Sequence, residues 1–475
     1  MKDLAFRSAT ELAAAVKTKE VSSRELLDTY LARVEKHNPA INSVITLDES
    51  AARAAAAEAD RMTAQGDSLG AVHGLPITIK DALETKGMRS TGGAIEMMNH
   101  VPDQDAPVVG RLRDEGAVIF GKTNLPRWSG DGQSYNEMFG VTNNPWDLTR
   151  TPGGSSGGAA AGVAAGLTSF EIGTDIGGSV RMPSHFTGVW GHKASYGIVP
   201  GLGYLDGPHG GTVDADNNLL GPLARSADDL DLLLGLIAGP SPTNAPAWRL
   251  ELPAPRHQNL SDYRVAAWID DPACPIDAEM HAVLDTTVRA LEDAGAKVDR
   301  HARPDLDLAS TAKLGKQLIS AATSVSLSAD EVAELSEKSR GHAVLAQTHH
   351  TWLERERRRT AVRAIWDQFF TDYDILLCPA TVVTAFPHTT EGTWASRTLR
   401  INGEDRPYAD LMTWTAFIGM AYLPVTTPPL GLTAAGLPTS VQVVAPYLGD
   451  RMAIDFARQL AELTGTGYTP PPDYR

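Results

Sequence analysis

Cysteine is nearly missing from this chain: two among 475 residues, Cys274 and Cys378. Two cysteines cannot form a disulfide framework in a chain this long, and their spacing matches no metal or redox motif. Both are expected as buried apolar thiols, Cys378 closing the run DILLC. Long apolar runs are missing too, since no stretch approaches the roughly 18 uninterrupted apolar residues of a membrane span. Acidic and polar residues interrupt the opening MKDLAFRSATELAAAV, so it lacks a secretory pattern. A soluble cytoplasmic protein is the expectation. Positive charge is also short, with 42 Lys and Arg against 58 Asp and Glu and a net charge of −16. Such a surface repels phosphate backbones, so nucleic acid is not an expected partner. The clear basic run, ERERRRTAVR at 354–363, sits in a helical pattern flanked by Trp352, Ile365, Trp366, Phe369 and Phe370. It is expected as a solvated helix face on which arginines pair with glutamates.

What is present describes a globular protein with a sizeable core: 42% hydrophobic and 21% charged residues. Thr10 is expected to cap a first helix, and Ser22 with Glu25 makes a capping box for a second. An alanine-rich third helix is predicted over 48–64. This helical region, about 8–64, holds too few large apolar residues for a core of its own. From about residue 72, short apolar strands alternate with helices. LPITIK reads as a strand, and LRDEGAVIFGKTN as a helix ending at Gly116 and then a strand. RVAAWI and LEDAGAKV frame a βαβ unit over 264–300. This grammar predicts an α/β fold with a mixed or parallel sheet. The proline-rich stretch 239–259 could divide two domains. Strand signals resume beyond it and close with DILLCPA and LPTSVQVVAP, so one domain with a sheet visited from both sides is preferred.

Residues 151–158 read TPGGSSGG. A phosphate loop would need GxxxxGK[ST], and no lysine follows Gly158. A dinucleotide fingerprint would need a strand before it, where the chain has the turn-rich TNNPWDLTRTP. The segment GGAAAGVAAG continues as a small-residue helix, which excludes a flexible linker. The glycines therefore mark close backbone packing at a helix N-terminus. Further on, EIGTDIGGSVRMP reads as a strand that breaks at Ile176, Gly177, Gly178 and Ser179 and resumes toward Arg181. Two glycines before a serine allow consecutive amides to converge, which is what an oxyanion hole requires. Ser179 is then a candidate nucleophile.

A serine hydroxyl needs a base. His73 and His192 lie near these motifs, but neither falls in a GxSxG elbow. Lys80 ends the apolar strand LPITIKD, where desolvation would lower its pKa. Alone, it would read as a surface lysine beside Asp81.

Taken together, Lys80 in HGLPITIKD, the serine pair in GGSSGG and Ser179 in GTDIGGSVR resemble the amidase signature family of serine hydrolases. GKTN (121–124), FGVTNNPWD (139–147), GPLARSADDL (221–230), LLCPA (376–380) and GLPTSVQVVAP (436–446) extend the resemblance over most of the chain. It implies a large single-domain fold, a mixed twisted sheet covered by helices on both faces. The signature core would span about 72–230, and a further sheet and substrate-loop region about 260–460. It also implies a Ser-cisSer-Lys triad on Ser179, Ser155 and Lys80, with Ser155 following a cis peptide bond. The amides of Ile176, Gly177 and Gly178, with that of Ser179, would form the oxyanion hole. Ser156, Thr174, Asp175 and Arg181 would support the loop, Arg181 pairing with Asp175. No metal or organic cofactor is implied. The chain departs from the family at GHKAS (191–195) and VRMPS (180–184), outside the three chemical roles.

The implied reaction is hydrolysis of the C–N bond of a small or aryl amide, with water as co-substrate. Carbamate and ester cleavage at the same site is the first alternative. The glutaminase subunit of a tRNA-dependent amidotransferase, which needs a partner subunit, is the second. A homodimer is compatible with the resemblance. Trp128, Ser129 and Gly130 are candidate substrate contacts, although a tryptophan is more often packed core. Residues 310–350 and the loop 386–415, with Phe386, Tyr408, Trp414 and Phe417, are candidates for an aromatic wall.

Overall fold

Capping residues decide where the helical N-terminal region begins. In the computed structural model, which describes residues 4–67, 69–212, 214–328, 330–331 and 348–475, α1 (Ala9–Lys17) and α2 (Ser23–Ile41) both start from capping boxes. Ser22 and Glu25 form the second as expected, but the first is built by Ser8 and Glu11. Thr10 is instead committed to Asp229, which accepts from its amide and its hydroxyl. A tertiary carboxylate thus outcompetes the local cap. After β1 (Val44–Leu47), the alanine-rich α3 (Glu49–Gln65) is capped by Asp48 and ends at Gly66 in the left-handed region.

Two sheets follow. In the smaller, β2 (Pro76–Lys80) runs parallel to β3 (Val118–Thr123), with α4 (Pro107–Asp114) between them in sequence and β1 antiparallel on the far edge of β3. A short hairpin, β4 (Tyr135–Asn136) and β5 (Gly140–Val141), precedes α5 (Gly157–Ala164). The larger sheet draws on β6 (Glu171–Asp175), β7 (Trp190–Lys193) and β8 (Leu219–Ala224), with α6 (Arg181–Thr187) and α7 (Ala227–Ile237) between and after them. Beyond the irregular 239–259 come β9 (Arg264–Ala267), α8 (Ala278–Asp293), β10 (Lys297–Asp299) and α9 (Leu308–Thr323). Helix α10 (His349–Asp372) leads into β11 (Ile375–Pro379). A hairpin of β12 (Thr398–Ile401) and β13 (Glu404–Pro407) precedes α11 (Thr413–Gly419). Strands β14 (Val425–Thr427), β15 (Pro429–Leu432) and β16 (Pro438–Val444) and helix α12 (Asp450–Thr464) close the chain.

The larger sheet has the order β10-β9-β11-β16-β14-β7-β8-β6, with β15 added on β16. Its β10, β9 and β11 are mutually parallel, as the βαβ pattern over 264–300 requires, and the remaining pairs are antiparallel. Strands from before and after 239–259 therefore share one mixed sheet. Helices α5 and α6 pack together, α5 on β6 and β8 and α6 on β16, β14 and β7, while α7, α8 and α12 form a second group, α7 on β8 and β7 and α12 on β14 and β16. All residues of β6, β7, β8, β11 and β16 are buried, which requires cover on both faces. Cys274 and Cys378 are buried and unpaired.

Besides the Thr10 cap, two further expectations change. The chain after Ser179 forms helix α6 rather than a resumed strand, because Val180 already has helical dihedrals. The basic run is not wholly a solvated face. Arg359 is buried, pairs with Asp216 and Glu356, and lies over the Tyr422 ring. Arg363 stacks over Tyr422 and Tyr447. Planar guanidinium groups suit such aromatic faces, and the pairing offsets the cost of burying charge. Among the described residues no helix is long and apolar enough to cross a membrane.

Glycine spacing near TPGGSSGG reflects direct backbone contact. A Cβ on Gly158 would stand 2.4 Å from the Asn124 carbonyl oxygen, whereas one on Gly235, in α7, would meet nothing within 4 Å. Gly158→Ala is therefore expected to destabilise the protein by about 1–3 kcal/mol. Gly235→Ala is expected to stabilise it by about 0.8–1 kcal/mol through helix propensity alone. Chemical denaturation of the two variants checks both signs.

Candidate active site

Lys80 is the last residue of β2, and side-chain alternation puts it on the face opposite Ile77 and Ile79. It is fully buried. Its Nζ lies 2.6 Å from Ser155 Oγ, 2.7 Å from Thr174 Oγ1 and 3.1 Å from Ser156 Oγ. Its ligands are three hydroxyls, and among the described residues no carboxylate pairs with it directly. Burial pulls its pKa from 10.5 down to about 7, while the negative charges of Asp175 and Glu171 oppose the shift. Asp81, the neighbour a surface lysine would pair with, turns instead to the amide and hydroxyl of Thr91.

The serine pair is delivered by the turn before α5. The Gly154–Ser155 peptide bond is cis. Ser134 ties this turn together: its hydroxyl accepts from the Gly157 amide at 3.0 Å and donates toward the Gly153 and Ser155 carbonyls at 3.0 and 3.2 Å. Gly154 has no room for a side chain, because a Cβ would sit 2.5 Å from the Asp131 carbonyl and the Gln133 amide nitrogen. Ser156 accepts from the Thr174 amide at 3.2 Å and donates to the Thr174 carbonyl at 3.3 Å. It thereby joins the turn to β6.

Beyond β6 the chain runs through Ile176, Gly177 and Gly178 to Ser179. The Ser156 amide donates to the Ser179 carbonyl at 3.2 Å, so the two serine-bearing segments lie side by side. Ser155 and Ser156 are fully buried while Ser179 retains 7% exposure, so of the three it is the one within reach of a molecule from solvent. Asp175 and Arg181 form a bidentate buried pair, Nε to Oδ2 at 2.9 Å and Nη2 to Oδ1 at 2.8 Å. Asp175 also accepts from the amides of Gly178, Val180 and Arg181. Burial alone would raise the Asp175 pKa; the Arg181 charge and these hydrogen bonds reverse that and hold it near 2.

That geometry redistributes the expected oxyanion donors. The Gly178 amide is engaged by Asp175 Oδ1 at 2.8 Å, because the carboxylate that braces the loop also captures the nearest N–H. Among the described residues no protein acceptor takes the amides of Ile176, Gly177 or Ser179. Over Gly177 stand the apolar Met412 and Ile319 side chains.

Of the candidate substrate contacts, Ser129 is half-buried and Gly130 exposed, but Trp128 turns inward. Trp128 is buried and clusters with Ala94, Met97 and Leu205. Trp128 and Ser129 have φ of 50° and 56°, and the Gly130 carbonyl accepts from Trp394 Nε1 at 2.9 Å. The residues of the proposed aromatic wall are all buried core: Trp414 and Phe417 stand edge-on to Trp268, and Phe386 stands edge-on to Tyr408. Of the stretch 310–350, residues 329 and 332–347 lie outside the described residues. His73 bonds to Thr63 and the Ala59 carbonyl, and His192 to Thr426 and Asp450; both are structural positions away from the serines. Among the described residues no group of three or more His, Cys, Asp or Glu could hold a metal ion.

Several supporting residues escaped the sequence reading. Thr415 donates to the Gly177 carbonyl, Asn217 to the Ile176 carbonyl, and Gln442 accepts from Arg181. Glu171 accepts from the Lys80 amide and the Thr123 hydroxyl, and burial raises its pKa to about 7. Gln442 and Glu171 left a usable sign, a polar residue inside a buried strand, which must find a partner.

Comparison with known proteins bears on this geometry. A family model described as Amidase matches residues 25–454. A glutamyl-tRNA(Gln) amidotransferase subunit from a Synechococcus species is 32% identical over 471 residues, covering 93% of each chain. The same subunit from Acidothermus cellulolyticus is 31% identical, covering 95% of this chain and 93% of that one. Among solved structures, a 6-aminohexanoate cyclic dimer hydrolase superposes with a TM-score of 0.81 at 26% identity, covering 99% of both chains. A bacterial aryl acylamidase shares the fold with a TM-score of 0.80 at 23% identity, over 99% of this chain and 97% of that one.

If Lys80 must be neutral to accept a proton, turnover rises with pH as the ammonium is lost. With burial holding its pKa near 7, rate should be low at about pH 5, rise through about pH 7 and level off above about pH 8. A flat profile across that range, with acylation shown to be rate-limiting, would contradict the assignment.

Proposed function

The chain belongs to the amidase family, enzymes acting on carbon–nitrogen bonds, and on that footing we propose that it hydrolyses small or aryl amides through an acyl-enzyme on Ser179. The observation that carries the proposal is the contact of a desolvated Lys80 with Ser155 at 2.6 Å. Neutral Lys80 accepts the Ser155 proton as Ser155 takes that of Ser179. Ser179 Oγ then bonds to the amide carbon, and the oxyanion forms against the amides of Ile176, Gly177 and Ser179. As the C–N bond breaks, the proton returns through Ser155 to the leaving nitrogen. Water attacks the acyl-enzyme by the reverse relay, releasing the carboxylic acid and restoring the Ser179 hydroxyl.

The acyl group is proposed to be uncharged, because Met412 and Ile319 over Gly177 offer apolar contact only. Trp128, Ser129 and Gly130 would border it. Two successive non-glycine residues in the left-handed region cost on the order of 1–3 kcal/mol each, and such outliers concentrate at functional sites. Carbamates and esters present the same carbonyl and are accepted variants of the proposal. A second reading has its own support: the curated relatives of about 30% identity described above are amidotransferase subunits. Under that reading glutamine would be cleaved only with a partner subunit bound.

A panel of nitroanilides, aliphatic amides, carbamates and nitrophenyl esters, with free glutamine as a further member, discriminates these. Ser179→Ala and Ser155→Ala are expected to abolish measurable turnover, and Lys80→Ala to lower kcat by about 10²–10⁴-fold, with folding intact by circular dichroism. Full activity in Ser179→Ala would end the proposal. Ammonia release from glutamine alone among the substrates, and only with a partner subunit, would favour the second reading.

A further inference from the structure

The turn that presents the oxyanion amides is held through its carbonyls. Asn217 Nδ2 donates to the Ile176 carbonyl at 3.1 Å, and Thr415 Oγ1 donates to the Gly177 carbonyl at 2.7 Å. In a trans peptide the carbonyl of one residue and the N–H of the next lie in one plane and point in opposite directions. Drawing the Ile176 carbonyl toward Asn217 therefore turns the Gly177 N–H the other way. That amide has no protein acceptor among the described residues, and a Cβ on Gly177 would collide with Met412 Cε at 2.3 Å.

Asn217 is not loosely placed. It is 1% exposed and sits at φ 58°, a conformation asparagine adopts more readily than most residues. Its neighbour Asp216 accepts from Arg359 at 2.8 Å and from the Tyr422 hydroxyl at 2.6 Å. Arg359 is carried by α10, and Tyr422 follows α11. Elements far apart in sequence thus converge on the residue beside Asn217. The Asn217 amide is the end of this chain of contacts that touches the turn.

We propose that Asn217 is a positioning residue that aims the Gly177 amide at the oxyanion, with Thr415 holding the next peptide plane and the Arg359–Asp216–Tyr422 cluster fixing Asn217 itself. The inference rests on the Ser179 acyl-enzyme reading. A misaimed donor weakens binding of the developing negative oxygen more than binding of the neutral ground-state carbonyl.

The test uses the full chain, with nitrophenyl butyrate as substrate and a short-chain alkyl trifluoromethyl ketone as a reversible tetrahedral mimic. Asn217→Asp keeps the shape of the side chain but loses the donor, and Thr415→Val keeps shape without the hydroxyl; Asn217→Ala removes the group altogether. Each variant is expected to lose about 10–100-fold in kcat with KM changed less than about threefold. Affinity for the ketone should fall in parallel with kcat/KM. A residue that merely stabilised the fold would lower the melting temperature and leave that parallel loss absent. Retention of wild-type kcat in folded Asn217→Asp and Asn217→Ala, or loss of kcat without loss of ketone affinity, would overturn the proposal. Ser179→Ala run alongside separates the failures: its full activity would sink the acyl-enzyme reading, whereas a dead Ser179→Ala beside active Asn217 variants would sink only the positioning role.

Discussion

The structure turns on one buried amine. Lys80 is removed from water and given three hydroxyl partners in place of a carboxylate. A lysine paired directly with an acid would keep its charge and its high pKa, and could not serve as a base near neutrality. Desolvation, opposed by negative charge on Asp175 and Glu171 that makes no ion pair with the amine, holds it where both protonation states are accessible. Those carboxylates are themselves occupied, Asp175 by Arg181 and Glu171 by backbone amides and Thr123. Satisfying them elsewhere leaves the lysine to the hydroxyls.

Keeping that arrangement dry demands a closely fitted surround. Gly154 and Gly158 permit main chain to lie against main chain where any side chain would collide with Asp131, Gln133 or Asn124. The small-residue helix α5 and the all-buried strand β6 then bring Ser155, Ser156 and Thr174 to the end of β2. Arg181 ties the same region to β16 through Gln442 and to α11 through the Thr415 carbonyl. The two halves of the sequence therefore meet behind the turn that carries Ser179. The proline-rich segment between them is a surface connection, because both halves contribute strands to one sheet.

The family resemblance and the structural neighbours agree on architecture and on carbon–nitrogen chemistry. Curated sequence relatives are amidotransferase subunits, while solved structures of the same fold include a 6-aminohexanoate cyclic dimer hydrolase and an aryl acylamidase. Lys80, Ser155 and Ser179 sit at the end of β2 and on the turns beside α5 and β6, whereas the side chains standing over Gly177 are Met412 and Ile319. Those contacts come from distant loops and helices, which can change without moving the lysine or the serines.

The grouping of Lys80, Ser155 and Ser179 as candidates came from the resemblance to the amidase signature family. By itself the sequence determined the helix starts at Ser22 and Asp48, the βαβ unit over 264–300 and the helix after GGSSGG. These depend on local signals: capping chemistry, apolar periodicity, and glycine where a side chain cannot fit. Tertiary structure alone decided that Thr10 serves Asp229 instead of a cap, that Arg359 is buried over Tyr422, and that the Gly178 amide is taken by Asp175. It alone brought Asn217 and Thr415 to the turn before Ser179. The physical reason is common to all of them. A polar group takes the best partner available in space, and partners contributed by elements tens or hundreds of residues away leave no local pattern to read.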